Sequence, residues 1–308
     1  MLKDTLAGVF PPVMTPFQGG RIDFAGLEAN ILRMNGTRLR GYMPLGSNGE
    51  FRSLTDEEAL KVVRLIADRK AADKTLMVGT GRESAYATIE FTKKAADQGA
   101  EFASVLTPHY YAKKMDDQAL IRFFTQVADA SPVPVLMYCA PGFAAGVILS
   151  PAAVAELARH PNILGMKDTS QEDIAGYVKA VPPGAEFHVL AGSVTKFLYG
   201  LRNGTVGGVL SMANYFPELC CELQDLFMEG KTAEAEKLSS RLMALNARTT
   251  GKHGVAGVTN FPSVGFIDGA YRRALEAAGL GFEREAQMLA RARAAGLLTA
   301  GFCFTPEE

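Results

Sequence analysis

From residue 8 to about residue 229 the chain repeats one unit eight times: a short apolar run of strand length, then an amphipathic stretch of helix length. The runs are GVFPPVMTPF (8–17), GYMPLG (41–46), LMVGTG (76–81), FASVLTP (102–108), VPVLMYCAP (133–141), ILGMK (163–167), FHVLAG (187–192) and GGVLSM (207–212). Nearly continuous apolar strands, each followed by a helix, describe a parallel sheet covered on both faces by its crossovers. Eight such units describe an α/β fold closed into a (β/α)8 (TIM) barrel, whose usual length is about 250 residues. An open doubly wound sheet is the competing arrangement. Against it, no G-x-G-x-x-G follows the first strand, and GTGRES after the third does not match that spacing.

Helix boundaries are marked by residue type. Thr55 and Glu58 have capping-box spacing before ALKVVRLIADRKA. Ser150-Pro151 offers an N-cap and a first-turn proline before AAVAELARH, and Gly36, Gly99 and Gly230 stand where helices should end. Residues 230–308 continue as helices: TAEAEKLSSRLMALNAR, a middle segment from Val255 to Ala278, and EREAQMLARARAAG. No Gly/Ser- or Pro-rich linker precedes them. The expected organisation is a barrel over 1–229 and a C-terminal helical extension over 230–308, packed on the barrel as one structural unit.

Charge narrows the partners. Lys+Arg 32 against Asp+Glu 33 gives a formal charge of -1, without a basic block or an acidic tail, so neither nucleic acid nor an anionic membrane is expected as a partner. No run approaches the roughly 20 apolar residues of a membrane span, and MLKDTLAG does not read as a secretory signal. Cys139, Cys220, Cys221 and Cys303 show no CxxC spacing, which indicates neither a zinc site nor a disulfide framework. A cytoplasmic protein with reduced thiols is expected.

The stretch ILGMKDTS (163–170) carries the most chemistry. Its apolar part reads as a buried strand running straight into Lys167. Burial disfavours an ammonium, so a neutral, nucleophilic amine becomes accessible, as a Schiff-base lysine requires. The alternative is a lysine that reaches solvent or pairs with Asp168. In a (β/α)8 barrel the active site lies at the C-terminal strand ends, which assembles candidates from separate runs. Strand two ends in GSNGE (46–50), strand four in TPHYY (107–111), strand five at Tyr138, strand six at Lys167 and strand seven at Gly192-Ser193.

Tyr138 and Lys167 end adjacent strands and can share one pocket. Tyr138 is either a phenolic proton shuttle or a core tyrosine. The N–H groups of Ser47 and Asn48 could hold a carboxylate, or GSNGE is an ordinary glycine turn. Glu50 is expected to pair with backbone donors near the next helix, and Tyr110 and Tyr111 could be interface packing. Gly192-Ser193 and Gly207-Gly208 could mimic a phosphate cradle without matching a motif. His109, His160, His188 and His253 form no ligand pattern, and His160 reads as a surface residue. Neither a metal nor a bound cofactor is expected.

Taken together, GSNGE, TPHYY, the tyrosine of LMYCAP and the lysine of GMKD resemble the dihydrodipicolinate synthase/N-acetylneuraminate lyase superfamily, over the whole chain. Within it, GVFPPVMTPF, LGSNGEF, ILGMKD, VLAGS and GTVGGV look like the 4-hydroxy-2-oxoglutarate aldolase branch. The resemblance implies a class I lyase that binds a small 2-oxo acid covalently and needs no separate cofactor. It implies that Lys167 forms the Schiff base and that Tyr138 moves protons. Ser47 would link Tyr138 to Tyr110 of a neighbouring subunit, Ser47 and Asn48 would hold the substrate C1 carboxylate, and Gly192 and Ser193 would line the substrate site. It also implies a homotetramer built as a dimer of dimers.

One stretch departs from the pattern. Where dihydrodipicolinate synthases carry an arginine after the strand-five proline, this chain has PGFAAG (141–146) with Phe143, and Arg52 and Lys113 are the candidate replacement cations. The readings are therefore retro-aldol cleavage of 4-hydroxy-2-oxoglutarate to pyruvate and glyoxylate, condensation of pyruvate with aspartate semialdehyde, or dehydration or cleavage of a 3-deoxy-2-oxo sugar acid. Outside the enzymes, a 2-oxo acid sensor is the alternative.

Overall fold

The computed structural model describes residues 5–254 apart from Gly19, with only the backbone of Lys252 and His253. Eight strands form one parallel sheet: β1 (Gly8–Phe10), β2 (Gly41–Tyr42), β3 (Thr75–Gly79), β4 (Phe102–Leu106), β5 (Val135–Cys139), β6 (Ile163–Asp168), β7 (His188–Ala191) and β8 (Gly207–Val209). From β2 to β8 each strand pairs with the next in sequence, and β8 pairs with β1. Backbone hydrogen bonds bridge the two end strands: Arg40 N–H to the Val9 carbonyl at 2.9 Å, Met43 N–H to Pro11 at 3.0 Å, and Val13 N–H to Met43 at 2.9 Å. The eight predicted runs are the eight strands of a TIM barrel.

A helix follows every strand: α1 (Phe24–Asn35), α2 (Asp56–Arg69), α3 (Ala85–Asp97), α4 (Asp117–Ala130), α5 (Pro151–Leu157), α6 (Ile174–Ala180), α7 (Val194–Arg202) and α8 (Pro217–Met228). The Thr55/Glu58 capping box forms in full, each side chain taking the other residue's backbone N–H. Ser150 caps α5, with Pro151 at its first position. A reciprocal cap of this kind contributes about 1 kcal/mol. A ninth helix, α9 (Thr232–Arg248), covers the predicted TAEAEKLSSRLMALNAR and packs against α7 and α8. The two predicted elements beyond it, Val255–Ala278 and EREAQMLARARAAG, lie outside the described residues.

Strand alternation splits the core in two. Leu6, Phe10, Met43, Met77, Phe102, Leu136, Leu190 and Val209 fill the barrel interior. The intervening side chains, such as Val78, Val105, Met137 and Met166, face the helices. Because period 2 puts neighbours on opposite faces, Leu136 inside places Tyr138 inside. Gly165 and Lys167 follow as their register partners across β6.

Candidate active site

Lys167 ends the inward row of β6. It is 4 % exposed, and its Nζ stands 3.8 Å from the Met43 sulfur at the end of β2. On the β5 side, Nζ lies 4.2 Å from the centre of the Tyr138 ring, within the range at which an aromatic face attracts a cation. Tyr138 and Lys167 are direct partners in the β5–β6 ladder. The structure therefore brings together the two residues that the sequence placed on adjacent strand ends, and walls them with apolar groups.

Asp168 does not serve Lys167. It faces the helix layer, wholly buried, and its Oδ2 accepts from Lys196 Nζ at 2.6 Å. This corrects the reading in which Lys167 snorkels or pairs with its neighbour: strand alternation carries the two side chains to opposite faces.

The turn after β2 is built under strain. Leu45 and Glu50, neither of them glycine, both adopt left-handed backbone conformations, with φ of 58° and 51°. Such conformations cost of order 1–3 kcal/mol each and cluster where a site must hold a fixed shape. Gly79 makes room for this turn: a Cβ there would stand 2.1 Å from the Leu45 carbonyl oxygen. Between the two strained residues, Ser47–Gly49 form a single 3-10 turn. The N–H groups of Ser47 and Asn48 open that turn, where no acceptor exists within it. Asn48 is buried and donates to Ser211 Oγ at 2.9 Å. Ser47 Oγ is buried without a hydrogen-bond partner among the described residues. Among the described residues Glu50 makes no hydrogen bond to the backbone donors expected for it. Burial alone acts on its carboxyl and pushes it above the usual carboxylate range.

The TPHYY segment is clamped by Glu83, at the end of the loop after β3. One Glu83 oxygen accepts the N–H groups of His109 and Tyr110, each at 2.8 Å, and the other accepts from Arg52 at 2.5 Å. Burial works against the Glu83 charge, but the Arg52 hydrogen bond and the two backbone donors hold its carboxyl below the usual range. His109 Nδ1 lies 3.0 Å from the Thr107 carbonyl, which can only accept, so its Nε2 is the acceptor for Arg52 at 2.8 Å. Arg52 is thus bound into this clamp, with its side chain still about half-exposed. Lys113 is exposed on a separate turn, Ala112–Lys114.

Tyr110 is 76 % exposed and stacks edge-on against Tyr111, with ring centres 4.9 Å apart. Within one chain no hydrogen bond joins it to Ser47 or Tyr138 among the described residues. Phe143, in the turn Pro141–Phe143 after β5, is half-exposed.

Gly192 follows β7 under the end of β6: a Cβ would meet Thr169 Cγ2 at 2.1 Å, and its N–H donates to the Asp168 carbonyl at 2.7 Å. Ser193 bonds Thr195, at 2.8 Å. Gly207 and Gly208 lie within β8, against Gly8 and Phe197, so they serve close packing rather than a cradle. His160 lies at the edge of the surface. It is partly buried, with Nε2 3.1 Å from Asp129 and Nδ1 accepting the Asn162 N–H.

Among the described residues no cluster of three or more His, Cys, Asp or Glu side chains could hold a metal ion. Cys139, Cys220 and Cys221 are buried thiols outside any disulfide, and Cys303 lies outside the described residues. No described helix is long and apolar enough to cross a membrane.

Sequence reasoning missed Met43, Glu83 and Lys196. Met43 carried a faint signal as the inward residue after β2. The other two reach the site through contacts distant in sequence and carried none.

The dihydrodipicolinate synthetase family matches residues 5–273. A 4-hydroxy-tetrahydrodipicolinate synthase of Methanothrix thermoacetophila is 33% identical over 240 residues, covering 77% of this chain and 80% of that protein. A probable mitochondrial 4-hydroxy-2-oxoglutarate aldolase of Emericella nidulans is 33% identical over 245 residues, covering 77% and 79%. Among solved structures, YagE of E. coli K12, a prophage protein of the dihydrodipicolinic acid synthase family in complex with pyruvate, superposes with a TM-score of 0.75. It is 31% identical and covers 82% of this chain and 86% of its own.

Proposed function

The chain belongs to the dihydrodipicolinate synthetase family and is a lyase; on that premise we propose that it is a class I enzyme that cleaves 4-hydroxy-2-oxoglutarate to pyruvate and glyoxylate. The observation that carries the reading is the buried Lys167 amine on the face of the Tyr138 ring. An amine so enclosed is shielded from water and presented to whatever enters the barrel mouth. The aldolase branch is favoured by LGSNGEF, ILGMKD and VLAGS and by the likeness to the Emericella protein.

In this reading the Lys167 amine adds to the C2 ketone, and Tyr138 gives its phenolic proton to the carbinolamine hydroxyl, which leaves as water to give an iminium. The Tyr138 phenolate takes the C4 hydroxyl proton, the C3–C4 electrons flow into the iminium, and glyoxylate departs. Tyr138 returns that proton to C3 of the resulting enamine, and water hydrolyses the iminium to pyruvate and Lys167, its released proton restoring the Tyr138 phenol. Ser47 and Asn48 hold the C1 carboxylate through the open N–H groups of their turn and the Ser47 hydroxyl. Gly192 and Ser193 line the opposite rim.

Tyr110 reaches the site of a second copy and meets Ser47 there, in a cytoplasmic homotetramer. No cofactor is needed beyond the covalent bond to substrate, and neither nucleic acid nor membrane is a partner.

A second reading, condensation of pyruvate with aspartate semialdehyde, is favoured by the likeness to the Methanothrix protein. Phe143 in place of a cation weighs against it. Assay of purified protein with 4-hydroxy-2-oxoglutarate, with aspartate semialdehyde plus pyruvate, and with 3-deoxy-2-oxo sugar acids decides between them. Pyruvate release from 4-hydroxy-2-oxoglutarate, abolished by Lys167→Ala, is the expected result. Turnover of another substrate alone would replace the assignment, and binding without turnover of any would point to a sensor.

A further inference from the structure

We propose that Asp168 and Lys196 are positioning residues, an ion pair between a wholly buried carboxylate and a partly buried ammonium that sets the place from which Lys167 attacks. The inference rests on the Schiff-base reading above. Lys167 and Asp168 are consecutive, so a group that fixes Asp168 on the helix side fixes the strand from which Lys167 enters the barrel. Asp168 is held at all three of its oxygens: Oδ2 accepts from Lys196 Nζ at 2.6 Å, Oδ1 accepts the Ser170 N–H at 2.9 Å, and its carbonyl accepts the Gly192 N–H at 2.7 Å. Lys196 Nζ donates in addition to the Glu172 carbonyl at 2.6 Å. One ammonium thus ties together the end of β6, the turn that follows it, and α7.

Two further side chains, a thiol and a phenol, stand near Asp168. Cys139 of β5 and Tyr177 of α6 stand 3.8 Å apart, and the Tyr177 hydroxyl donates to the Leu149 carbonyl at 2.8 Å. Burial pushes the Cys139 thiol up to about 11. Lys196 is therefore the cation that balances the buried carboxylate among the described residues. A well-packed apolar pair would supply comparable stability, so a buried charge pair is a costly way to gain stability alone. Here it joins three elements behind the nucleophile. Attack needs the amine about 3–3.5 Å from the carbonyl carbon, and a misplacement of about 1 Å can slow a reaction about a hundredfold.

The test is the rate at which pyruvate is fixed to Lys167 under borohydride, followed by intact mass on folded, full-length protein over a range of pyruvate concentrations. Lys196→Met should lower the saturating rate at least tenfold while the half-saturating pyruvate concentration stays within about threefold. Lys196→Arg, which keeps the charge and can still bridge Asp168 and Glu172, should recover most of the rate. The double variant Asp168→Asn/Lys196→Met removes both charges of the pair, so it should fold, as circular dichroism checks, and should remain slow because the bridge is gone. Wild-type rates in the double variant, or an arginine variant as slow as the methionine one, would overturn the positioning role. So would a change confined to half-saturation. If the wild type gave no adduct, the Schiff-base reading would fall and this inference with it; a labelled wild type with equally labelled variants would overturn the inference alone.

Discussion

The Lys167 amine lies 4.2 Å above the centre of the Tyr138 ring, and the two residues are direct partners on adjacent strands. The proposed nucleophile and proton carrier are thus held by one ladder, and the ring remains to support the amine if the hydroxyl is removed. Tyr138→Phe should therefore keep the fold and the face contact while losing about 10²–10⁴ in kcat. Circular dichroism with steady-state kinetics on the cleaved 2-oxo acid checks both halves.

Glu50 carries a charge that burial opposes, its carboxyl lying above the usual range. A folded-state value raised above the unfolded one favours folding most at low pH, and that advantage is lost as pH rises through the folded value. Glu50→Gln should raise Tm at pH 7. The gain should vanish below about pH 4.3, the ordinary glutamate value. Thermal melts of the two proteins from pH 3 to pH 8 give the comparison.

Glu83 has the opposite sign. Its carboxyl is held low, so its contribution is present above the ordinary glutamate value and is lost as pH falls through the folded value. Glu83→Gln should melt earlier than wild type at pH 7, with the difference closing in acid. It should also loosen His109 and Tyr110, whose N–H groups Glu83 accepts. Hydrogen exchange at those two amides reads this out.

Gly192 has no room for a methyl group beside Thr169 and the Asp168 carbonyl. Gly192→Ala should cost about 1–3 kcal/mol of stability, as overpacking does. Because the strain falls on the residue after Lys167, pyruvate fixation should slow as well. Denaturant unfolding and trapping rates measure the two effects.

The barrel was legible because each strand is an apolar run and several helices carry their own caps. Strand lengths were less so. GVFPPVMTPF contributes to the barrel only over Gly8–Phe10, since Pro11 and Pro12 have no N–H to donate, and its last residue, Phe17, belongs to a separate short hairpin. GYMPLG stops at Tyr42, before Pro44 and the left-handed Leu45. In the site, Lys167 and Tyr138 could be found because they end strands. The partners that hold the site could not: Lys196 meets Asp168 across 28 positions, and Arg52 meets Glu83 across 31. Such contacts follow from barrel geometry, which hydrophobic period alone does not specify.

The central claim is that Lys167 forms the covalent bond. Intact-protein mass after borohydride reduction with pyruvate, followed by peptide mapping, tests it directly. One pyruvate-sized adduct per chain on Lys167, absent from Lys167→Ala, is the expected result. A folded protein without adduct, for pyruvate and for larger 2-oxo acids alike, or an adduct on another lysine, would contradict it.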